Sequence, residues 1–134
     1  MFDSRPTRSC FTSSGPYPVH CSQIPILLLH GFLATPRTVG ALAARLGRSG
    51  YCTHCIDFGG LFGRYNAQPV EELAHIVAER VDQLVRDHPR ERIVLVGHSL
   101  GGLIGRYYVQ SLDGADRVRH LVTLGSTCPT RYPK

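Results

Sequence analysis

An α/β fold on a mostly parallel sheet is the architecture this sequence predicts, and three observations carry it. Apolar runs of strand length alternate with stretches whose apolar residues recur at helical spacing. Two of those runs, residues 24–29 and 92–96, are nearly continuous in apolar residues, which suits strands buried on both faces. Between the second of them and a helix-like run stands Gly97-His98-Ser99-Leu100-Gly101-Gly102, a strand–turn–helix junction with one serine at its apex.

The elements follow in order. Ile24-Pro25-Ile26-Leu27-Leu28-Leu29 reads as the first strand and ends in His30-Gly31-Phe32. Thr35 offers an N-cap and Pro36 a first helical position. Val39, Leu42, Ala43 and Leu46 then fall at helical spacing, with Gly47 and Gly50 closing the helix. Residues 51–56 read as the second strand, followed by a glycine-rich loop. The stripe Val70, Leu73, Val77, Val81 and Leu84 predicts a helix over about 69–88, and Glu71, Glu72 and Arg86 match its macrodipole. A third strand over 92–96, the serine turn, a helix over about 100–112 and a fourth strand over 118–124 complete the pattern. Right-handed crossovers give the spatial order second, first, third, fourth. The switch point, where open sheets of this kind bind ligands, then falls between the strands ending at His30 and at Ser99.

Residues 1–23 carry no period and read as a loose lead-in, 24–126 as the folded domain and 127–134 as a tail. The chain has 134 residues, 43% hydrophobic and 19% charged, and no apolar run approaches a membrane span of about 20 residues. Its net charge of +5 comes from basic residues scattered along the chain, which argues against a nucleic-acid partner. No secretory leader is legible, so a cytoplasmic location is the expectation. The five cysteines cannot all pair. Cys52-Thr53-His54-Cys55 has C-x-x-C spacing, but on a strand residues three apart face opposite sides and no second Cys/His pair follows, so neither a metal nor a cofactor is expected.

The turn at Ser99 carries the chemistry. A Cβ at Gly97 or Gly101 would collide with neighbouring backbone, and the serine must accept strained dihedrals of the kind functional sites store. The ordered set formed by His30-Gly31-Phe32, the loop after Asp57, the Gly97 to Gly102 turn, Gly105-Arg106-Tyr107-Tyr108 and Val122-Thr123-Leu124-Gly125 resembles the α/β-hydrolases, in particular bacterial triacylglycerol lipases and esterases. The resemblance implies that Ser99 is the nucleophile of an acyl-enzyme mechanism on carboxylic esters or lipids. It also implies that the backbone N–H groups of Phe32 and Leu100 form the oxyanion hole. By the same resemblance His30 and Gly31 shape the oxyanion loop, with His30 as the base the lesser alternative; His98, next to the nucleophile, is the lesser candidate for a base because its position is wrong for presenting its ring to the Ser99 hydroxyl. Phe32, Leu33, Phe58, Leu61 and Phe62 either line an acyl pocket or anchor loops, and Arg106, Tyr107 and Tyr108 read as helix packing and surface.

The family places its acid and histidine after the serine. Here only Asp113, Asp116 and His120 follow, none suitably placed, and Ser126-Thr127-Cys128-Pro129-Thr130 departs from the family pattern. The expectation is a C-terminally truncated hydrolase with an incomplete triad, weak or inactive as an enzyme, whose fourth strand is an exposed edge open to self-association. A non-catalytic binding fragment and an acyltransferase using the same turn are the alternatives.

Overall fold

In the computed structural model, residues 24–58, 68–89 and 91–127 are described below. The lead-in 1–23, Leu61 and Phe62, and Cys10, Cys21 and Cys128 lie outside them. The elements are β1 (Pro25–Leu29), α1 (Pro36–Arg48), β2 (Cys52–Cys55), α2 (Val70–Asp87), β3 (Ile93–His98), α3 (Leu100–Ser111), a 3-10 turn (Gly114–Asp116) and β4 (Val118–Leu124).

All three strand pairings are parallel and the sheet order is β2-β1-β3-β4, as the crossover argument requires. Each face carries its own helix layer. On one side α1 buries Val39 and Ala43 against Ile26, Leu28, Cys55 and Val96. On the other, α2 and α3 bury Leu73, Val77, Val81, Leu84, Ile104 and Tyr108 against Leu27, Leu29, Ile56, Ile93 and Leu95. The fully buried Leu27, Leu28 and Leu29 explain the unbroken apolar run: consecutive residues face opposite helix layers, and neither face meets water.

The helix ends follow local chemistry. Thr35 caps α1 with extended dihedrals, the Thr38 hydroxyl accepts a hydrogen bond from the Thr35 N–H at 3.4 Å, and Pro36 occupies the first turn. Gly47 lies within the last turn of α1, and the reversal is made one turn later by Gly50 at φ 93°. Pro69 and His88 flank α2, two positions that the helical stripe had assigned to the helix itself. β3 runs two residues beyond the apolar run because Gly97 and His98 still pair, Gly97 with Leu29 and Thr123 and His98 with Leu124.

Among the described residues, β4 is paired on one edge alone. Its register with β3 shifts between Ile93 and Val94, and Arg92 donates from its guanidinium to the carbonyls of Ala115 and Val118 at 2.6 and 2.7 Å, pinning the strand's start. Val122 and Leu124 are 43% and 39% exposed, so this edge carries apolar surface to solvent. Beside it, on the α1 side, lies an open trough of about 550 Å³ lined by Leu42, Leu46, Val94, Val96, Val122 and Leu124 among others, with Arg119 and His120 at its border.

Candidate active site

Ser99 sits at the junction of β3 and α3 with φ 52° and ψ −121°, a conformation that costs a non-glycine residue about 1–3 kcal/mol. Close backbone approaches make the turn possible. A Cβ on Gly97 would lie 2.5 Å from the Gly102 Cα, and one on Gly101 would run into the Leu29 and His30 carbonyls at the end of β1. The collision expected from the sequence is therefore with α3's own first turn in one case and with the neighbouring strand in the other.

The backbone of Ser99 is tied to the end of β4. Its N–H donates to the Leu124 carbonyl at 2.9 Å, and its carbonyl accepts from the Gly102 N–H at 3.0 Å and from the Ser126 hydroxyl at 2.6 Å. These bonds offset strain that the dihedrals alone would relax. A side chain at Gly102 would occupy the place of Ser126, which makes the two residues a matched pair. Ser126 is the contributor that sequence reasoning missed; it read as the point of departure from the family pattern.

The loop after β1 comes up beside the turn. A Cβ on Gly31 would meet the Ser99 Cβ at 3.0 Å and the His98 carbonyl at 3.2 Å, so only glycine lets the two segments close. Phe32 and Leu33 follow at 58% and 60% exposure, Leu33 at φ 51°, and the Ala34 N–H donates to the Gly31 carbonyl at 3.2 Å. Leu100 is the first residue of α3, where helix N–H groups lack intrahelical partners. The structure thus brings Gly31, Phe32, Ser99 and Leu100 to the same end of the sheet, at the β1/β3 switch point. His98 is exposed, its Nδ1 turned toward Gly31.

His30 is buried to 1% exposure. Its Nδ1 lies 3.1 Å from the Gly31 carbonyl, its ring packs edge-on against Phe58 with centroids 5.1 Å apart, and Nε2 is buried with no hydrogen-bond partner among the described residues. Burial lowers its pKa, opposed by the Gly31 carbonyl and the Asp57 charge, so the ring is held neutral. Phe58 is buried in the α2/α3 layer and serves as a loop anchor there. Tyr108 is a core residue of the same layer.

The three candidates after Ser99 are kept away from it. In a parallel sheet β4 begins opposite the start of β3, so Asp113 and Asp116 stand at the far end of the sheet from the serine. His120 pairs with Val94, well before the turn, and borders the α1-side trough. Neither Ser99, Phe32 nor Leu100 lines that trough.

A second group of polar side chains lies at the far end as well. Cys52, His54 and His88 offer ligand atoms all within 4.8 Å of one another. The His54 and His88 rings meet edge-on with centroids 6.5 Å apart, and His54 Nε2 is buried with no partner among the described residues. Burial, with the Arg80 and His88 charges adding and Asp87 opposing, brings the His54 pKa down to about 4. Cys52 and Cys55 face opposite sides of β2 as strand geometry demands. Cys52 is disulfide-bonded, and not to Cys55, which is a buried thiol in the α1 layer.

A doubly wound sheet with a strained serine between a central strand and a helix, and a glycine loop closing on it from the neighbouring strand, defines the α/β class of serine-elbow proteins. The family model for the alpha/beta hydrolase fold matches residues 24–133, and the chain belongs to that family. Its fold is similar to the Bacillus licheniformis lipase BlEst2 in mature form, with a TM-score of 0.64, 18% identity, and 87% of this chain and 44% of that one covered. A monoacylglycerol lipase from Paleococcus ferrophilus matches with a TM-score of 0.63 and 26% identity over 76% of this chain and 38% of that one. Aspergillus fumigatus lipase B matches with a TM-score of 0.68 and 13% identity over 78% and 25%. The chain spans less than half the length of each of these lipases.

Proposed function

We propose that this chain carries the nucleophile and oxyanion half of a carboxylic-ester hydrolase acting on lipid-like esters. The observation that carries the reading is the left-handed Ser99 at the β3–α3 junction, with Gly31 packed against its Cβ. In the proposed reaction the Ser99 Oγ attacks the ester carbonyl and gives up its proton to solvent water, which returns it to the departing alkoxide, and the carbonyl oxygen becomes an oxyanion held by the N–H groups of Phe32 and Leu100. Collapse releases the alcohol and leaves an acyl group on Ser99, which water removes as the acid. Each pre-aimed donor contributes about 10²–10³ in rate. Leu100 adds the positive end of α3.

The proton needs a base. Among the described residues, no histidine or carboxylate follows Ser99 at its own end of the sheet. Turnover by this chain alone is therefore slow, supported by binding and the oxyanion hole. Hydrolysis of a short-chain chromogenic ester by the wild type and by Ser99→Ala tests this. Slow release that disappears in Ser99→Ala is expected. Equal rates in the two would overturn the hydrolase reading, and rapid Ser99-dependent turnover would overturn the incomplete triad.

The exposed β4 edge and its apolar trough favour self-association in the free chain. No helix among the described residues is long and apolar enough to cross a membrane. Cytoplasmic residence remains part of the proposal, with one observation against it: Cys52 is disulfide-bonded, and such bonds persist chiefly in oxidising compartments.

A further inference from the structure

We propose that Cys52, His54 and His88 form a redox-gated site for a zinc-class divalent cation, open when Cys52 is reduced and closed when it is disulfide-bonded. The site is built by topology. Cys52 and His54 are two apart on the edge strand β2 and so project from the same face. His88 is the residue that ends α2, and it folds back onto them. The three residues lie at the end of the sheet away from Ser99, since Cys52 pairs with Pro25 at the start of β1.

The donor set suits the cation. A thiolate and two neutral imidazoles are what zinc and cobalt select, with a water as the fourth ligand, and the bonds of about 2.0–2.3 Å place ligand atoms roughly 3.5 Å apart. The ligand atoms already lie within 4.8 Å of one another, about an ångström beyond that spacing. His54 Nε2 is a buried nitrogen without a partner, the state an unfilled ligand position leaves. Two further charges act on His54: the Arg80 guanidinium, which opposes a cation, and the Asp87 carboxylate, which favours one.

Gating follows from the sulfur. In the disulfide, Cys52 has no thiolate to give. A dithiol reductant supplies two electrons and two protons, is itself oxidised to a disulfide, and leaves Cys52 and its former partner as thiols. Metal binding then displaces the Cys52 thiol proton to solvent and forms the metal–sulfur bond. Cys55, on the opposite face, takes no part.

The test is an anaerobic Co²⁺ titration of the full chain, once reduced and desalted and once air-oxidised, followed by Zn²⁺ displacement. The reduced chain is expected to bind one Co²⁺ with a sulfur-to-cobalt charge-transfer band that Zn²⁺ abolishes, and the oxidised chain to bind at least tenfold more weakly without the band. Cys52→Ser loses the band, His54→Gln and His88→Gln weaken binding at least tenfold, and Cys55→Ser leaves it unchanged. His88→Gln, at a helix end, guards against loss of folding, which circular dichroism checks in each variant. A band that survives in Cys52→Ser, equal binding by oxidised and reduced chains, or no binding by the folded reduced chain would overturn the site. Ser99-dependent ester release is read in parallel and is expected to be unchanged by His88→Gln, which separates this site from the hydrolase reading.

Discussion

The hydroxyl of Ser126 donates to the carbonyl of Ser99 at 2.6 Å, so the residue after β4 holds the serine that follows β3. Ser126→Ala removes one partly buried hydrogen bond and leaves the Gly102 N–H as the remaining donor to that carbonyl. A loss of about 1 kcal/mol in stability is expected by urea titration. Under the proposed mechanism ester release falls with it, because a turn that relaxes moves the Leu100 N–H from its proposed place at the oxyanion.

Ser99 itself should trade stability for chemistry. Ser99→Gly removes the cost of a left-handed side chain, and a gain of about 1 kcal/mol in urea stability is expected together with complete loss of Ser99-dependent ester release. A variant less stable than wild type would mean that the side chain has bonds compensating for its backbone.

Gly97→Ala and Gly101→Ala meet backbone rather than flexible side chains, so neither clash can be relieved by a rotamer change. Losses of about 3 kcal/mol or more are expected, read as unfolding or insolubility at room temperature. Gly40, with nothing within 4 Å of an added Cβ, is the control: Gly40→Ala in the middle of α1 should stabilise by about 0.5–1 kcal/mol.

Folding stability should fall on mild acidification. The His30 pKa is lowered in the folded chain, so below the ordinary histidine value of 6.5 the unfolded chain binds more protons than the folded one. The stabilising effect of a neutral His30 is complete above 6.5 and is lost progressively as the pH drops through the window between 6.5 and the lowered folded value. Urea midpoints measured from about pH 7 to pH 5 should decline, with a shallower slope in His30→Asn.

Self-association should depend on β4. Val122→Lys places a charge on the edge strand, the device natural edges use against pairing. Sedimentation velocity is expected to find larger species in the wild type and a shift toward monomer in the variant; a wild type that is monomeric throughout would refute the edge as an association surface.

Much of this was legible in the residues. The unbroken apolar run at Ile26 to Leu29 announced a strand covered on both faces, the Val70 to Leu84 stripe announced α2, and the sheet order followed from chain handedness once those were placed. Ser99 was legible because its glycines have a steric purpose that sequence spacing exposes. What escaped was contact across elements. Nothing in the run of residues says that His88 returns to His54, because that meeting is set by where α2 ends over the sheet. The Ser126 bond escaped because a serine in a polar segment has no pattern to mark it, and Phe58 could be placed in the core only once His30 was found against it.

The bonds from Ser99 to Leu124 and Ser126 also set an order of events during synthesis. Residues 24–111 contain β1 to β3 and α1 to α3, yet none of the partners at the end of β4 exists until the ribosome has moved a further dozen or so codons. Until then Ser99 lacks two of its three backbone restraints and is free to relax to ordinary dihedrals. The strained turn at Ser99 is thus among the last features of these four strands to be set.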